Sequence, residues 1–556
     1  DVSAGIVKRQ ILRLSMASWQ SYVETLPTLQ NAWITSVKRS KNLPSLVDEG
    51  SAPLAAIRAL CAAIAISVRI SKKVANQNIG LLLPSSGGAA LANMGSLLAG
   101  KTVVNLNYTS NLSDITSACE TAEIKVIVTS NTFLKKLKAR GVDIRVAFHG
   151  QELIHLEELV AEIPKIELGL YWLLVKFLPE SLLRLIYSRN NDTNKIAAVL
   201  FSSGSEGSPK GISLTHKNIM SNIKQVAEIV NAQPDDVMMG SLPLFHAFGL
   251  TVTTFLPLIE GIPLVCQPDP TDALSTAKSI SRHGVSIMCG TSSLLRLYTH
   301  NQKIHPLLLA SLRLVVSGAE KLDDRVRQDF QTKFGKTILE GYGTTETAPV
   351  VSCNLPDQLE PSRLKTQKGS QLGTVGMPVP GTSCIIVDPE TFEELSIGDA
   401  GMVLIGGPQV MHGYLGEPEK TKGVIKEIDG FKWYVSGDKG IIDEDGFLTI
   451  IDRYSRFVKI RGEMISLTAV ERALKGVISD EVGIIAVGLP DAIRGEKIVL
   501  VCDLELDLTS IRKKMLDLGC PALMLPSEYQ VVNSIPLLGS GKADVRRARA
   551  MAVELQ

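Results

Sequence analysis

At 556 residues the chain is too long for one hydrophobic core, so at least two domains are expected. A hydrophobic fraction of 45% with 21% charged residues is an ordinary globular composition. The formal net charge of +1 lacks the basic excess of nucleic-acid binders, so no nucleic-acid partner is expected. Cys61, Cys119, Cys266, Cys289, Cys353, Cys384, Cys502 and Cys520 are scattered, with no C-x-x-C pair and no Cys/His cluster at zinc spacing. That suits reduced, buried thiols in a cytosolic protein. The chain opens on Asp1 with no signal-peptide pattern, which leaves open that it is a segment of something longer. The longest apolar runs, at residues 59–68 and 168–175, fall short of the ~20 residues that span a bilayer, so no transmembrane helix is expected.

In chain order, residues 1–190 alternate helices with short apolar strands such as "IGLLLP" (79–84) and "IKVIVTS" (124–130), an α/β pattern. The stretch "GSLLAGKT" (95–102) spells the Walker A pattern. A phosphate loop of that kind needs a strand before the glycines and a helix after them. Here residues 89–98 read as helix and "TVVNL" (102–106) as strand, so the order is reversed and a helix C-terminus at Gly100 is expected instead. Residues 163–189 ("IPKIELGLYWLLVKFLPESLLRLIYSR") mix leucines and aromatics with Lys165, Lys176, Arg184 and Arg189. Two readings fit them: a helix pair in a membrane interface, or a hairpin packed on the protein's own core around Pro179.

A better phosphate cradle is "FSSGSEGSPKG" (201–211), a loop between a buried strand (196–201) and a second strand, with a helix beginning near His216. Glycines let backbone wrap an anion, hydroxyls donate to phosphate oxygens, and Lys210 adds a cation. The α/β texture continues to about residue 410, and a small β-rich subdomain is expected over about 370–452, carrying "GMVLIGG" and "GFLTIID". The texture changes again near 452–455. The fold expected is therefore α/β, with a large domain over 1–452 and a small, mobile α+β domain over 453–556 that contains "VGIIAVGL" and "KIVLVCDL".

The cradle is followed in order by "PLFHAFG" (243–249), "EGYGTTE" (340–346), "WYVSGD" (433–438) and "PLLGSGK" (536–542). With these motifs the chain resembles the acyl-adenylate-forming superfamily over nearly its whole length, from about residue 46 to the end. Finer wording, "LFSSGSEGSPKG", "LEGYGTTETAPVVS", "IRGEMISL" and "PLLGSGKAD", is similar to the synthetase half of the bifunctional acyl-ACP synthetase/2-acylglycerophosphoethanolamine acyltransferases. No copy of their H-x-x-x-x-D acyltransferase motif is found, so that step is expected to belong to a separate or upstream module.

The chemistry implied is activation of a carboxylic acid by ATP, in which two anions must be neutralised where water is excluded. By the resemblance, Ser202, Ser203, Gly204, Ser205, Gly207 and Lys210 hold the β- and γ-phosphates. Glu206 stands where most of the superfamily has Thr, and is expected to point outward or toward Lys210. Glu346 is the Mg²⁺ ligand and Thr345 the α-phosphate contact, flanked by Gly341, Gly343 and Thr344. Tyr342 stacks on adenine, with Gly318, Ala319 and Glu320 beside base or ribose. Asp438 and Arg453 hold the ribose, and Lys542 is the catalytic cation between carboxylate and α-phosphate. His246 lines an apolar acyl pocket with Phe245, Phe248, Leu250 and residues 290–295, either as a gate or as a satisfied core histidine. For the second step the superfamily rotates its C-terminal domain, which places Gly462 in the thiol tunnel and Ser455 near the pivot.

The resemblance thus implies a long-chain acyl-ACP synthetase that uses ATP and Mg²⁺, takes a fatty acid, and passes the acyl group to the phosphopantetheine of acyl carrier protein for lysophospholipid reacylation. The alternative is a long-chain fatty acyl-CoA ligase, and Lys459, Arg461 and Arg494 suit either acceptor. A non-catalytic nucleotide- and acyl-binding membrane scaffold is the rival from another class, and the joint presence of Lys542 and Glu346 argues against it. The expected location is cytoplasmic, with peripheral contact at the cytoplasmic face of the inner membrane through 163–189.

Overall fold

The computed structural model describes residues 2–202, 209–360, 362, 364–428, 430–461, 463–478, 482–491, 494–537 and 543–555, with side chains from residue 10 onward, Glu360 excepted. The chain forms two compact units. The larger comprises Asp1–Ile385, Leu404–Ser436 and Asp443–Thr449, and the smaller Ile386–Val403, Gly437–Ile442 and Ile450–Gln556.

The larger unit is built on two big sheets with helices around them, the α/β arrangement that alternating strands and helices imply. The first has seven strands, in the order Gly413–Tyr414, Lys210–Thr215, Ile196–Ser202, Thr102–Asn105, Asn78–Leu82, Val126–Thr129, Glu152–His155. The five strands from Ile196–Ser202 to Glu152–His155 run parallel, and Asn78–Leu82 and Val126–Thr129 are buried apart from Asn78, as the apolar runs around 79–84 and 124–130 imply. The second has nine strands and includes Leu314–Ser317, Ile338–Gly343 and Val350–Cys353. Its central strands pack with helices Ala273–His283 and Asp324–Phe334 around Tyr298, Phe330 and Met288.

The Walker-like stretch has the reversed order expected of it. Helix Gly87–Leu98 precedes strand Thr102–Asn105, and Gly100 takes the left-handed φ of +74° that ends the helix. A Cβ on Gly95 would lie 2.8 Å from Ile66 Cγ2, so that glycine serves helix packing against Ala56–Lys73. Lys101 donates to the carbonyls of Ala75 and Asn76 at 3.2 and 2.8 Å, a loop-closing role rather than a phosphate-binding one.

In the smaller unit, strands Glu463–Ser466, Phe457–Ile460, Gly495–Cys502 and Ile484–Asp491 form a sheet, with Glu528–Val531 added in parallel beside Gly495–Cys502. Helices Leu467–Lys475 and Leu508–Asp517 contribute to one core, around Val470, Leu500 and Met515. Helix Val545–Glu554 contributes to the other, through Ala548 and Ala552. The α+β texture of "VGIIAVGL" and "KIVLVCDL" is realised as the hairpin Ile484–Asp491/Gly495–Cys502.

All eight cysteines are free and six are buried. Burial holds the Cys61, Cys119, Cys289, Cys353 and Cys384 thiols up at about 12, so they behave as inert apolar side chains. Among the described residues no helix is long and apolar enough to cross a membrane.

Candidate active site

The expected phosphate loop is framed as the sequence suggests. Strands Ile196–Ser202 and Lys210–Thr215 pair antiparallel, with Ser202 opposite Lys210 at the mouth of the loop. Thr215 then starts helix His216–Val230 through a reciprocal cap with Asn218, which fixes where the second strand ends. Ser203, Gly204, Ser205, Glu206 and Gly207 lie outside the described residues.

On the other side of Lys210–Thr215 sits Gly413–Tyr414, also antiparallel, with Tyr414 opposite Ile212. This pairing brings the Tyr414 ring to 5.5 Å from Lys210 Nζ, a cation–π distance. The same tyrosine donates its hydroxyl to Glu346 Oε1 at 3.1 Å, while Met411 N donates to the Glu346 carbonyl at 2.7 Å. Burial, and then the neighbouring Glu346 charge, push the Tyr414 phenol above its ordinary range, so it stays a proton donor. Tyr414 thus joins the lysine of the loop to the carboxylate expected to hold a metal. Sequence reasoning missed it, because "HGYLG" (412–416) carries no signal beyond its glycines and the contact is made by strand pairing.

Glu346 is presented by a tight turn after strand Ile338–Gly343. A Cβ on Gly343 would lie 2.0 Å from the Pro349 carbonyl, so only glycine permits the chain to fold back there. Thr344 N donates to Thr347 Oγ1 at 3.2 Å, and Thr347 Oγ1 donates to the Pro349 carbonyl at 2.7 Å. Thr344 is buried in this turn, whereas Thr345 and Glu346 are only half-buried and face out of it. Gly341 and Tyr342 pair with Cys353 and Ser352, so the Tyr342 ring rides on a rigid sheet.

Gly318, Ala319 and Glu320 follow strand Leu314–Ser317, next to Ile338–Gly343. A Cβ on Gly318 would lie 3.2 Å from Phe248 Cε1, and Ala319 holds a φ of +70°, unusual for a residue with a side chain. The Glu320 carboxylate accepts from Ser293 N at the start of helix Ser292–His300, so Glu320 also fixes that helix. His246 sits tilted against Phe245 (centroids 4.7 Å apart, planes at 54°), and Phe245 meets Tyr108 edge-on at 4.9 Å. Next comes Phe248–Phe255, a run of wide π-type turns in which Thr253 and Thr254 both donate to the Gly249 carbonyl.

In the smaller unit, Arg453 Nε meets Asp438 Oδ1 at 3.1 Å. Asp438 is buried, with 3% side-chain exposure, whereas Arg453 is 65% exposed, so a buried carboxylate is met by a solvent-facing cation. Asp452 accepts from Arg453 N at 2.8 Å and from Ser466 Oγ. Arg461, at φ +52°, donates its N–H to the Arg494 carbonyl at 2.9 Å, and Lys459 lies two residues before it with an exposed side chain. Lys542 and Gly462 lie outside the described residues. No cluster of three or more metal-binding side chains exists among the described residues.

The profile of the family described as AMP-binding enzyme matches residues 39–415. Long-chain-fatty-acid–CoA ligases of Bacillus subtilis (strain 168) and Yersinia pestis are 31% and 33% identical over 307 and 314 residues. Those alignments cover 54% and 56% of this chain and 52% of each relative, so the chain spans about half the length of these relatives. A 4-coumarate–CoA ligase of Narcissus pseudonarcissus is 29% identical over 411 residues, covering 71% of this chain and 69% of the relative. Among solved structures, ATP-bound MatB of Rhodopseudomonas palustris has a TM-score of 0.76 at 22% identity, covering 95% of this chain and 99% of that one. The o-succinylbenzoate CoA synthetase of Bacillus subtilis with ATP and magnesium has a TM-score of 0.73 at 20% identity, covering 94% and 99%. These two establish a shared fold: a large N-terminal and a smaller C-terminal domain.

Proposed function

The chain belongs to the AMP-binding enzyme family, and from that premise we propose that it is an AMP-forming acid–thiol ligase acting on a fatty acid. The observation that carries the reading is the meeting of Lys210, Tyr414 and Glu346 beside the paired ends of the Ser/Gly loop. One face of it supplies a cation for phosphate, the other a hard oxygen for Mg²⁺.

In the first half-reaction a carboxylate oxygen attacks the α-phosphorus of ATP, the bond to pyrophosphate breaks, and acyl-AMP remains. Lys210 and the loop hydroxyls hold the leaving phosphates, Thr345 orients the α-phosphate, and Glu346 would hold Mg²⁺, which when bound would supply positive charge to the phosphates. Tyr342 and the 318–320 turn take the adenine side, the fixed Asp438 carboxylate accepts from ribose hydroxyls, and Arg453 donates to the same sugar. Lys542 supplies the cation that lets carboxylate and phosphate approach. His246 and the aromatic cluster around Phe245 wall the acyl group. In the second half-reaction a thiol sulfur attacks the acyl carbon, the bond to AMP breaks, and the thiol proton is released. The ligand-binding division we propose is 1–452 for ATP and fatty acid and 453–556 for Lys542 and the Gly462 tunnel.

The relatives named as fatty-acid–CoA ligases favour CoA over acyl carrier protein as the acceptor. The carrier-protein reading rests on the wording of the motifs alone. Fatty-acid-dependent pyrophosphate release tests the first step. Supplying CoA and holo-carrier protein separately, and measuring which thioester accumulates, tests the second. No release with any fatty acid would leave the scaffold reading in its place.

A further inference from the structure

Residues 163–189 form a helical hairpin, Lys165–Phe177 and Glu180–Tyr187, whose inner side is firmly fixed. Tyr171, Val175 and Leu183 are buried. The Glu167 carboxylate accepts from Arg69 Nη2 at 2.6 Å and from Tyr171 OH at 2.6 Å, and the Arg69 contact holds it down at about 2. Lys38 Nζ donates to the carbonyls of Val175, Lys176 and Leu178, closing the C-terminal end of the first helix.

The outer side is inverted relative to a solvated helix. Ile166, Leu170, Leu173 and Phe177 recur at spacings of four, three and four, which is one face of a helix, and all are exposed, Ile166 by 89% and Phe177 by 71%. Leu182, Leu185 and Ile186 repeat this on the second helix, with Leu185 75% exposed. Seven large apolar side chains on one short hairpin are more than scattered surface hydrophobics, and they mark a surface that is covered in use.

The chemistry of the surroundings identifies the cover. Residues 163–189 hold four basic side chains (Lys165, Lys176, Arg184, Arg189) against two acidic ones; Glu167 is paired with Arg69 and Glu180 with Arg184, which leaves Lys165, Lys176 and Arg189 as the exposed cations. Lys176 Nζ lies 4.4 Å from the exposed Trp172 ring and 5.4 Å from that of Phe177, the pairing of aromatic body and cationic tip found at the headgroup level of bilayers. The helices are far too short to span, so they would lie in the interface plane. We infer that this hairpin docks the protein on the surface of an anionic phospholipid bilayer. The inference deepens the fatty-acid reading, since such a substrate partitions into lipid, but its geometric grounds stand apart from that reading.

The test is co-sedimentation of the full chain with vesicles of phosphatidylglycerol and phosphatidylethanolamine, compared with phosphatidylcholine alone. Wild-type protein is expected to partition onto the anionic vesicles, and Ile166→Glu/Phe177→Glu to weaken that partition by roughly tenfold or more. Both altered side chains point outward, and circular dichroism checks that the fold persists. Bromine-labelled lipid should quench part of the wild-type tryptophan emission that is missing in Trp172→Phe. Equal binding of wild type and double variant overturns the inference. So does a dimer that the double variant dissociates, because a second copy would then be the cover. Binding is read without turnover, so a protein that ligates fatty acid yet ignores vesicles sinks the docking alone, and one that binds vesicles without releasing pyrophosphate sinks the ligase reading alone.

Discussion

Tyr414 donates its hydroxyl to the Glu346 carboxylate across 68 residues of sequence, and the same ring faces Lys210 Nζ. A carboxylate that must hold a cation gains from being aimed before the cation arrives, and a hydrogen bond to a charged acceptor is worth about 1.5–3 kcal/mol. Tyr414→Phe keeps the ring under Lys210 and removes the hydroxyl that aims Glu346, together with its hydrogen bond to Tyr434. It should raise the Mg²⁺ concentration needed for half-maximal pyrophosphate release by about tenfold, with a smaller change in fatty-acid KM. Glu346→Gln should cost more, on the order of a hundredfold in rate, and excess Mg²⁺ should not restore it. A Tyr414→Phe enzyme with unchanged Mg²⁺ dependence would show that the contact is structural only.

Gly343 is where the turn bearing Thr345 and Glu346 folds back on Pro349. Its missing Cβ would fall 2.0 Å from a backbone carbonyl, which no rotamer change can relieve. Gly343→Ala must therefore shift the backbone, and the overpacking should cost about 1–3 kcal/mol of stability. Activity should fall further than stability, because a shift of about 1 Å in Glu346 can cost a hundredfold. Thermal unfolding and pyrophosphate release on one preparation separate the two effects.

How far the sequence reached depended on whether the determining interaction was local. The Walker-like stretch was resolvable from its neighbours, since helix-forming residues before Gly100 and β-branched ones after it settle the order. The start of helix His216–Val230 was legible because Thr215 and Asn218 cap it within four residues. Tyr414 was not, because its place comes from pairing with a strand two hundred residues earlier. For 163–189 the apolar stripe was visible but its direction was not. The Arg69–Glu167 and Lys38 contacts choose which side faces in, and those partners lie elsewhere in the chain.

His216 offers a pH prediction. Burial lowers its pKa from 6.5 to about 4, and its Nδ1 faces Leu29 N at 3.4 Å, with Asp192 and Lys195 as the charged groups acting on it. Between those values the unfolded chain binds a proton that the folded one refuses. The neutral ring's contribution to stability, about 3 kcal/mol, is thus complete above pH 6.5 and lost as pH falls toward 4. His216→Gln should flatten the dependence of the urea midpoint on pH across that window, whatever it does to stability at pH 7. An unchanged slope would mean that other groups carry the acid sensitivity.

Arg461 N donates to the Arg494 carbonyl, and Lys459 lies two residues earlier on strand Phe457–Ile460, which pairs with Glu463–Ser466 on one side and meets Gly495 on the other, so three cationic residues are gathered at this end of the small sheet. Both proposed acceptors are anionic, CoA through its phosphates and a carrier protein through its acidic surface. Arg461 holds a positive φ that substitution would disturb, so the informative variant leaves it alone. Lys459→Glu/Arg494→Glu should raise the KM for the thiol acceptor by about tenfold while leaving pyrophosphate release unaltered, and added salt should imitate it in the wild type. The two half-reactions thereby report separately. Loss of pyrophosphate release would place the patch at the nucleotide, and an unchanged acceptor KM would move the docking surface elsewhere.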